Sequence, residues 1–165
     1  MPILNEHSFE FISRSPEQTR RLGMRLGALL KAGDRVYLSG DLGSGKTTLV
    51  QGIASGWGSA DAVTSPTFVL VNLYRRPDGQ RLYHLDAYRL TSLQEALELD
   101  LDTLLAGNPL VVEWAEKIQT VLPEHGLWVH LRHVDNIQRD LVVSGRGPHY
   151  EKLLANLRTQ LYGVR

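Results

Sequence analysis

The sequence contains no cysteine. This absence excludes a disulfide framework, a thiolate metal site and a cysteine nucleophile. Long apolar stretches are missing as well. No run approaches the roughly 20 apolar residues of a membrane-spanning helix, and the first residues lack the basic start and apolar core of a signal peptide. We therefore expect a soluble, cytoplasmic protein that does not contact a membrane.

The sequence also has no excess of charge of either sign. Lysine plus arginine and aspartate plus glutamate both count 18, so the formal net charge is zero. Proteins that bind nucleic acid by themselves usually carry a basic excess, because neutralising phosphates drives their affinity. We interpret the short basic pairs that begin at Arg20, Arg75 and Arg132 as solvated charges. An RNA or partner contact is the alternative.

What is present suits one globular domain. The chain has 165 residues, of which 42% are hydrophobic and 22% charged. A chain of this length can bury roughly 70% of the surface that its unfolded form exposes. We predict a single domain over residues 1–165 that folds without a disulfide or a structural metal.

Strand and helix patterns alternate along the chain. Ser15 and Ser92 each open a capping box, Gly33 is expected to end the first helix, and residues 77–79 predict a hairpin turn. Strand patterns cover 8–13, 36–38, 67–74, 81–85, 110–112, 127–134 and 140–144, and helical patterns cover 15–33, 46–55, 92–105 and 150–161. This order predicts a three-layer α/β fold with a mixed, mainly parallel sheet that includes a β-hairpin.

One motif carries phosphate chemistry. The segment Gly40-Asp41-Leu42-Gly43-Ser44-Gly45-Lys46-Thr47, followed by Thr48, matches G-x-x-x-x-G-K-[ST] between a predicted strand and a predicted helix. Its glycines allow backbone N–H groups to surround a phosphate, and the helix N-terminus faces that negative charge. Lys46 can reach the β- and γ-phosphates, and the Thr47 hydroxyl can bind Mg²⁺. The motif predicts a P-loop NTPase. ATP is favoured, because the Asn-Lys-x-Asp guanine reader of Ras-type GTPases is missing.

Two acids stand where predicted apolar strands end. Asp86 follows residues 83–85, and Glu113 follows residues 110–112. A triphosphate site needs a carboxylate near Mg²⁺ at the end of a buried strand. We expect one of these acids to bind Mg²⁺ or its water and the other to orient the attacking water. A helix cap or a surface turn is the alternative for each, and the residues alone do not assign the two roles.

A threonine-rich segment follows the P-loop helix. Residues 64–67 read Thr-Ser-Pro-Thr, where a threonine such as Thr67 can sense the γ-phosphate and Mg²⁺. A plain turn fixed by Pro66 is the alternative.

Other conspicuous side chains have ordinary structural explanations. His130, Arg132 and Val134 share one face of a predicted strand, and we expect an exposed face there and no zinc site. Trp57 and Trp128 are expected in the core.

With these residues in hand, the sequence resembles the TsaE family, formerly called YjeE. This family is the ATPase component of bacterial tRNA threonylcarbamoyladenosine synthesis. The resemblance runs from about Phe9 to about Val143. The blocks that carry it are residues 40–48, Ser65-Pro66-Thr67-Phe68, His84-x-Asp86-x-Tyr88-Arg89 and Glu113-Trp114-x-Glu116-Lys117. The last two blocks together are specific, whereas the P-loop alone would not be.

The resemblance implies a role as well as a fold. It implies a P-loop ATPase that is weak alone and supports the TsaB–TsaD heterodimer, in which TsaD transfers a threonylcarbamoyl group to an adenosine of tRNA. This chain would contact tRNA only through that complex. In the family pattern, residues matching Thr47 and Glu113 lie at Mg²⁺, the residue matching Asp86 serves hydrolysis, and Trp114 matches a tryptophan close to the nucleotide.

The sequence departs from the family pattern at two positions. Ser44 stands where alanine is common, which should be harmless because the backbone binds the phosphate. Asp100 stands near a position where relatives often carry glycine, so the end of that helix is open.

Two other functions remain as alternatives to this ATPase. A small-molecule or nucleotide kinase would need an arginine-bearing lid and an acceptor pocket, and no arginine-rich segment is evident. A module that senses ATP without needing to hydrolyse it is the other alternative.

Overall fold

A computed structural model describes residues 7–41, 43–63, 71–90, 92–98, 103–104 and 106–163. Leu42, the segment 64–67 with Thr67, and Asp100 lie outside the described residues. The strands are β1 Ser8–Ser13, β2 Arg35–Gly40, β3 Val71–Arg75, β4 Arg81–Asp86, β5 Leu110–Glu113, β6 Gly126–His133 and β7 Arg139–Arg146. The α-helices are α1 Pro16–Leu29, α2 Lys46–Trp57, α3 Leu93–Glu98 and α4 Pro148–Tyr162, and Ala115–Val121 form a 3₁₀ helix.

The described strands form one sheet in the order β1-β7-β6-β2-β5-β4-β3. In its centre β2 pairs in parallel with β5 and β6, and β5 pairs in parallel with β4. The outer pairs β1–β7, β6–β7 and β3–β4 are antiparallel. Strands β3 and β7 therefore run against the direction of the other five. The mixed sheet and the predicted β3–β4 hairpin are confirmed.

Helices cover both faces of the sheet. Alternate residues of β5 illustrate the two cores: Val111 joins the cluster under α1, α2 and α4, whereas Leu110 and Val112 join the cluster under α3 and the 3₁₀ helix. All three are fully buried. A strand buried on both faces needs an unbroken apolar run, which β5 has. The predicted three-layer arrangement is confirmed.

Helices α1 and α2 touch backbone to backbone. A Cβ atom added at a glycine of this interface would collide with main-chain atoms of the facing helix; the positions concerned are Gly23, Gly27, Gly52 and Gly56. Because no side chain separates the helices, α1 fixes the position of α2, which begins at the end of the P-loop.

The prediction that Gly33 ends α1 is wrong. The helix ends at Leu29, and Leu30 has extended backbone with φ −72° and ψ 137°. The Asp34 carboxylate accepts the N–H of Lys31 at 2.8 Å and closes a turn, in which Gly33 takes φ +85°. Leu30 leaves the helix to bury its side chain, which is 6% exposed. Gly33 therefore serves the following turn.

Candidate functional site

The P-loop joins the last residue of β2 to the first residue of α2. Gly40, Gly43 and Gly45 have φ values of +138°, +76° and +101°, which L side chains rarely adopt. Gly45 is the N-cap of α2 and makes no side-chain capping bond, and the first turn of α2 contains no acid. The amide end of α2 thus points into the concave side of the loop, which is the arrangement that binds anions.

Lys46 lies inside this loop. Its Nζ donates to the carbonyl oxygens of Gly40 at 2.5 Å and Asp41 at 2.8 Å, and to Ser44 Oγ at 3.2 Å. The side chain is 6% exposed. Burial lowers the pKa of Lys46, against the attraction of the nearby carboxylates, of which Glu113 acts most strongly. The hydrogen-bond acceptors of this ammonium group are neutral oxygen atoms, which phosphate oxygens could replace.

The two predicted acids meet at the ends of neighbouring strands. Asp86 and Glu113 are direct partners in the register of β4 and β5. Glu113 is 3% exposed, and its Oε1 accepts the Thr47 hydroxyl at 3.4 Å. Asp86 is less buried and accepts the Tyr88 N–H at 2.9 Å. Burial raises the pKa of Asp86, and the Glu113 charge raises it further, against the hydrogen bond from Tyr88.

Behind Glu113 lie two side chains to which we assigned no role from the sequence. His84 Nε2 contacts Glu113 Oε2 at 2.5 Å, and Tyr74 Oη contacts His84 Nδ1 at 2.8 Å. A lone histidine at an inward position of an apolar strand could have pointed to His84. Tyr74 gave no such signal, because an aromatic residue is ordinary in a strand.

Trp114 covers the Lys46 side of the site. Its ring centroid is 4.0 Å from Lys46 Nζ and 4.9 Å from the ring of Tyr88. Among the described residues, Trp114 is the one non-glycine residue with positive φ, at +58°. Such a backbone costs roughly 1–3 kcal/mol and concentrates at functional sites. Glu116 also reaches the loop, since its Oε2 accepts the Gly40 N–H at 3.1 Å.

A pocket adjoins the other side of the P-loop. It holds about 320 Å³ of empty space, part of it open to solvent. Arg139 forms one wall and donates to the Gly43 carbonyl oxygen at 3.1 Å. The lining residues are Ser15, Pro16, Thr19, Gly45, Thr48, Asn136, Ile137 and Arg139.

The remaining predictions concern residues away from this cluster. Trp57 and Trp128 are buried, as predicted. His130 and Arg132 lie on the predicted exposed face, where His130 Nδ1 bonds Ser39 Oγ at 2.8 Å and Arg132 pairs with Asp140 at 2.8 Å. In the described part of the chain, no three His, Asp or Glu side chains form a group that could hold a metal. Nor is any helix there long and apolar enough to cross a membrane.

Comparison with known proteins identifies the family. A family model described as threonylcarbamoyl adenosine biosynthesis protein TsaE matches residues 13–141. The chain belongs to the TsaE family. All candidate residues named above for the site, from Gly40 to Trp114, fall within the matched range. The predicted resemblance to the TsaE family is confirmed.

Individual relatives agree with this assignment. A TsaE protein of Streptomyces coelicolor is 54% identical over 99 residues, 59% of this chain and 67% of the relative. A TsaE protein of Treponema pallidum is 37% identical over 134 residues, 81% of this chain and 98% of the relative. A crystal structure of Bacillus subtilis YdiB superposes with a TM-score of 0.77 at 31% identity, over 93% of this chain and 95% of that one.

Proposed function

We propose that this chain binds ATP with Mg²⁺ and hydrolyses it in the biosynthesis of tRNA threonylcarbamoyladenosine. The observation that carries the proposal is the meeting of Lys46 and Thr47 with the paired acids Asp86 and Glu113 at one end of the sheet. The relatives in Streptomyces coelicolor and Treponema pallidum are named as tRNA threonylcarbamoyladenosine biosynthesis proteins.

The phosphate groups fit the P-loop. The uncapped N-terminus of α2 offers backbone N–H groups, and Lys46 supplies one positive charge. On binding, we expect Lys46 to release the carbonyl oxygens of Gly40 and Asp41 and to hold phosphate oxygens. The exchange replaces neutral acceptors with charged ones, and charge-assisted hydrogen bonds are roughly twice as strong as neutral bonds.

The donor atoms beside the P-loop fit Mg²⁺. This ion prefers oxygen ligands, keeps several waters, and needs only one or two protein groups beside the phosphates. Thr47 Oγ1 and Glu113 Oε1 face each other, so we infer that these atoms hold the ion directly or through water. When bound, Mg²⁺ would neutralise charge on the β- and γ-phosphates. It would also relieve the mutual repulsion of Glu113 and Asp86.

Asp86 suits the role of water-orienting base. It is more exposed than Glu113 and does not share the hydrogen bond to Thr47. Burial shifts its pKa upward, towards the range in which a carboxylate accepts a proton more readily. This division of roles supports Glu113 as the ligand and Asp86 as the catalytic group.

We infer that the nucleoside lies beside Thr48, at the pocket that shares Gly45 and Thr48 with the P-loop. We place the adenosine there, against Ile137 and Arg139. The triphosphate would then run across the N-terminus of α2 towards Asp86 and Glu113.

The wider role follows from the family. We propose that the chain supports a TsaB–TsaD complex and does not itself transfer the threonylcarbamoyl group. Co-purification with TsaB and TsaD, with and without ATP, tests the association. If captured TsaB and TsaD recovered no more of this chain than a lysate without TsaB and TsaD does, the association would be contradicted.

Calorimetric titration with ATP and Mg²⁺ tests the nucleotide site. Lys46→Ala should abolish binding, because it removes the only ammonium group described at the P-loop. The matched control is Lys152→Ala, which removes an exposed lysine from α4 and should bind like the wild type. Equal binding by Lys46→Ala and the wild type would refute the proposed site. Transfer of labelled phosphate to a metabolite instead of water would indicate a kinase.

A further inference from the structure

His84 is a buried polar side chain that the proposed chemistry has not used. It is fully buried on β4, and its ring lies 5.8 Å from the Tyr74 ring. Both of its nitrogen atoms have partners: Glu113 Oε2 at 2.5 Å from Nε2, and Tyr74 Oη at 2.8 Å from Nδ1. Its position is therefore defined by hydrogen bonds at both ends of the ring.

The partners determine where the ring carries its hydrogen. An ionised carboxylate only accepts hydrogen bonds, so the contact with Glu113 requires a hydrogen on Nε2. Nδ1 can then accept from the Tyr74 hydroxyl. Burial raises the pKa of Tyr74, which keeps its phenol protonated at neutral pH. Asn72 Nδ2 donates to the same Oη in a long contact of 3.5 Å. Each hydrogen bond in this series is then donated towards Glu113: Asn72 donates to Tyr74, Tyr74 to His84, and His84 to Glu113.

This chain of bonds ends on one oxygen of Glu113 and leaves the other facing Thr47. Oε2 accepts from His84, and Oε1 accepts from the Thr47 hydroxyl. Rotation of the carboxylate would break both bonds of a group that is only 3% exposed, and an unpartnered buried charge is costly. We propose that His84 is a positioning residue that holds Glu113 with Oε1 directed at Thr47 and the Mg²⁺ site. Tyr74 in turn holds His84 in the required orientation.

The inference rests on the proposed Mg²⁺-dependent nucleotide binding. What it adds is the cause of the orientation of Glu113 at that site. Partners behind a metal ligand typically contribute 10–100-fold to metal affinity or activity. Loss of the His84 donor should therefore raise the Mg²⁺ requirement of nucleotide binding. It should leave the Mg²⁺-free nucleotide affinity close to that of the wild type, since the two hydrogen bonds described for His84 go to Tyr74 and Glu113 and not to the P-loop.

The test measures binding of a fluorescent ADP analogue to the full chain as Mg²⁺ is titrated. We expect His84→Leu to need at least about tenfold more Mg²⁺ for half-maximal enhancement. His84→Gln keeps a donor and an acceptor and should recover most of that loss. The matched control is His149→Gln, because His149 pairs with Asp34 at 2.7 Å far from the site. An unchanged Mg²⁺ midpoint in folded His84→Leu would overturn the inference.

A second measurement keeps the inference testable if His84→Leu does not fold. Nitrogen NMR of the wild-type imidazole rings should find His84 with a hydrogen on Nε2, and Tyr74→Phe should shift the Mg²⁺ midpoint by a few-fold in the same direction. A neutral His84 ring with its hydrogen on Nδ1 would overturn the inference. If the wild type bound no nucleotide, the proposed function would fail, while the NMR result would still decide how His84 holds Glu113.

Discussion

The two sides of the site are built in different ways. The phosphate-loop side, residues 40–48, uses backbone groups shaped by glycines with positive φ. The strand-end side, formed by His84, Asp86 and Glu113, uses side chains: His84 contacts Glu113, and Asp86 is the register partner of Glu113 on the neighbouring strand. Apart from Lys46 and Thr47, a side built from backbone tolerates changes of side chain but not of glycine. A side built from side chains depends on each of them.

The largest effect is expected on the strand-end side. Asp86→Asn should lower ATP turnover by about 10²–10⁴-fold, the usual contribution of a positioned proton acceptor, while ATP still binds. Steady-state hydrolysis and calorimetric binding measure the two quantities. Asp78→Asn, in the exposed hairpin turn, is the matched control and should hydrolyse ATP normally. Turnover by Asp86→Asn within a factor of two of the wild type would remove Asp86 from the chemistry.

On the phosphate-loop side, two glycine substitutions should differ in stability. Gly43→Ala meets no atom of the described residues within 4 Å, and its expected cost comes from the φ of +76°, so it should lose roughly 1–2 kcal/mol. Gly40→Ala, at φ +138°, also collides with the Leu131 carbonyl oxygen and should lose about 3 kcal/mol or more. Urea unfolding compares them. Equal losses would mean that the neighbouring strand does not constrain the loop.

The raised pKa of Asp86 predicts a smaller effect on stability. A carboxyl whose pKa is higher in the folded chain than in the unfolded chain destabilises the fold once it is ionised. Its unfavourable contribution therefore grows as pH rises from the ordinary value of 3.8 through the raised pKa. Asp86→Asn removes this contribution and should be slightly more stable than the wild type at pH 7.

Metal-free urea unfolding at about pH 4 and pH 7 checks this prediction, since 4 is close to the ordinary carboxyl pKa. The stability gained by Asp86→Asn should be larger at the higher pH. A gain that shrinks as pH rises would show that the pKa shift has the opposite sign.

The smallest effect is expected for Ser44→Ala. Ser44 Oγ accepts one of three hydrogen bonds from Lys46, and the two carbonyl oxygens remain after the change. One net hydrogen bond contributes about 1 kcal/mol, and a bound phosphate would replace it. We expect ATP affinity within about threefold of the wild type by calorimetry. A tenfold loss would show that the loop depends on this side chain as well as on its backbone.

The contrast also explains what could be predicted from the sequence. The phosphate-loop side is contiguous in the chain, so its motif and flanking elements specified it locally. Asp86 and Glu113 could be nominated as strand-end acids, but their pairing depends on the order of β4 and β5 in the sheet. His84 and Tyr74 were given no role, because their contacts depend on that same strand order.

Local backbone choices were the other part that the sequence did not predict. Glycine is the usual sequence signal of left-handed backbone, and Trp114 adopts this conformation without being a glycine. The early end of α1 depends on the Asp34 carboxylate and on burial of Leu30. The sequence had instead indicated Gly33 as the residue that ends this helix. At the end of α1, burial of Leu30 and the local bond to Asp34 outweighed the tendency of Gly33 to end a helix.

The glycine-lined contact between α1 and α2 has a mechanical consequence. Side chains between helices act as a compliant layer, since they can change rotamer and absorb small displacements. Here main chain rests on main chain, so such a layer is missing. We therefore expect a displacement of α1 to move the first turn of α2 and Lys46 with it. We expect α1 and α2 to move as one rigid unit, which includes Lys46 at the start of α2.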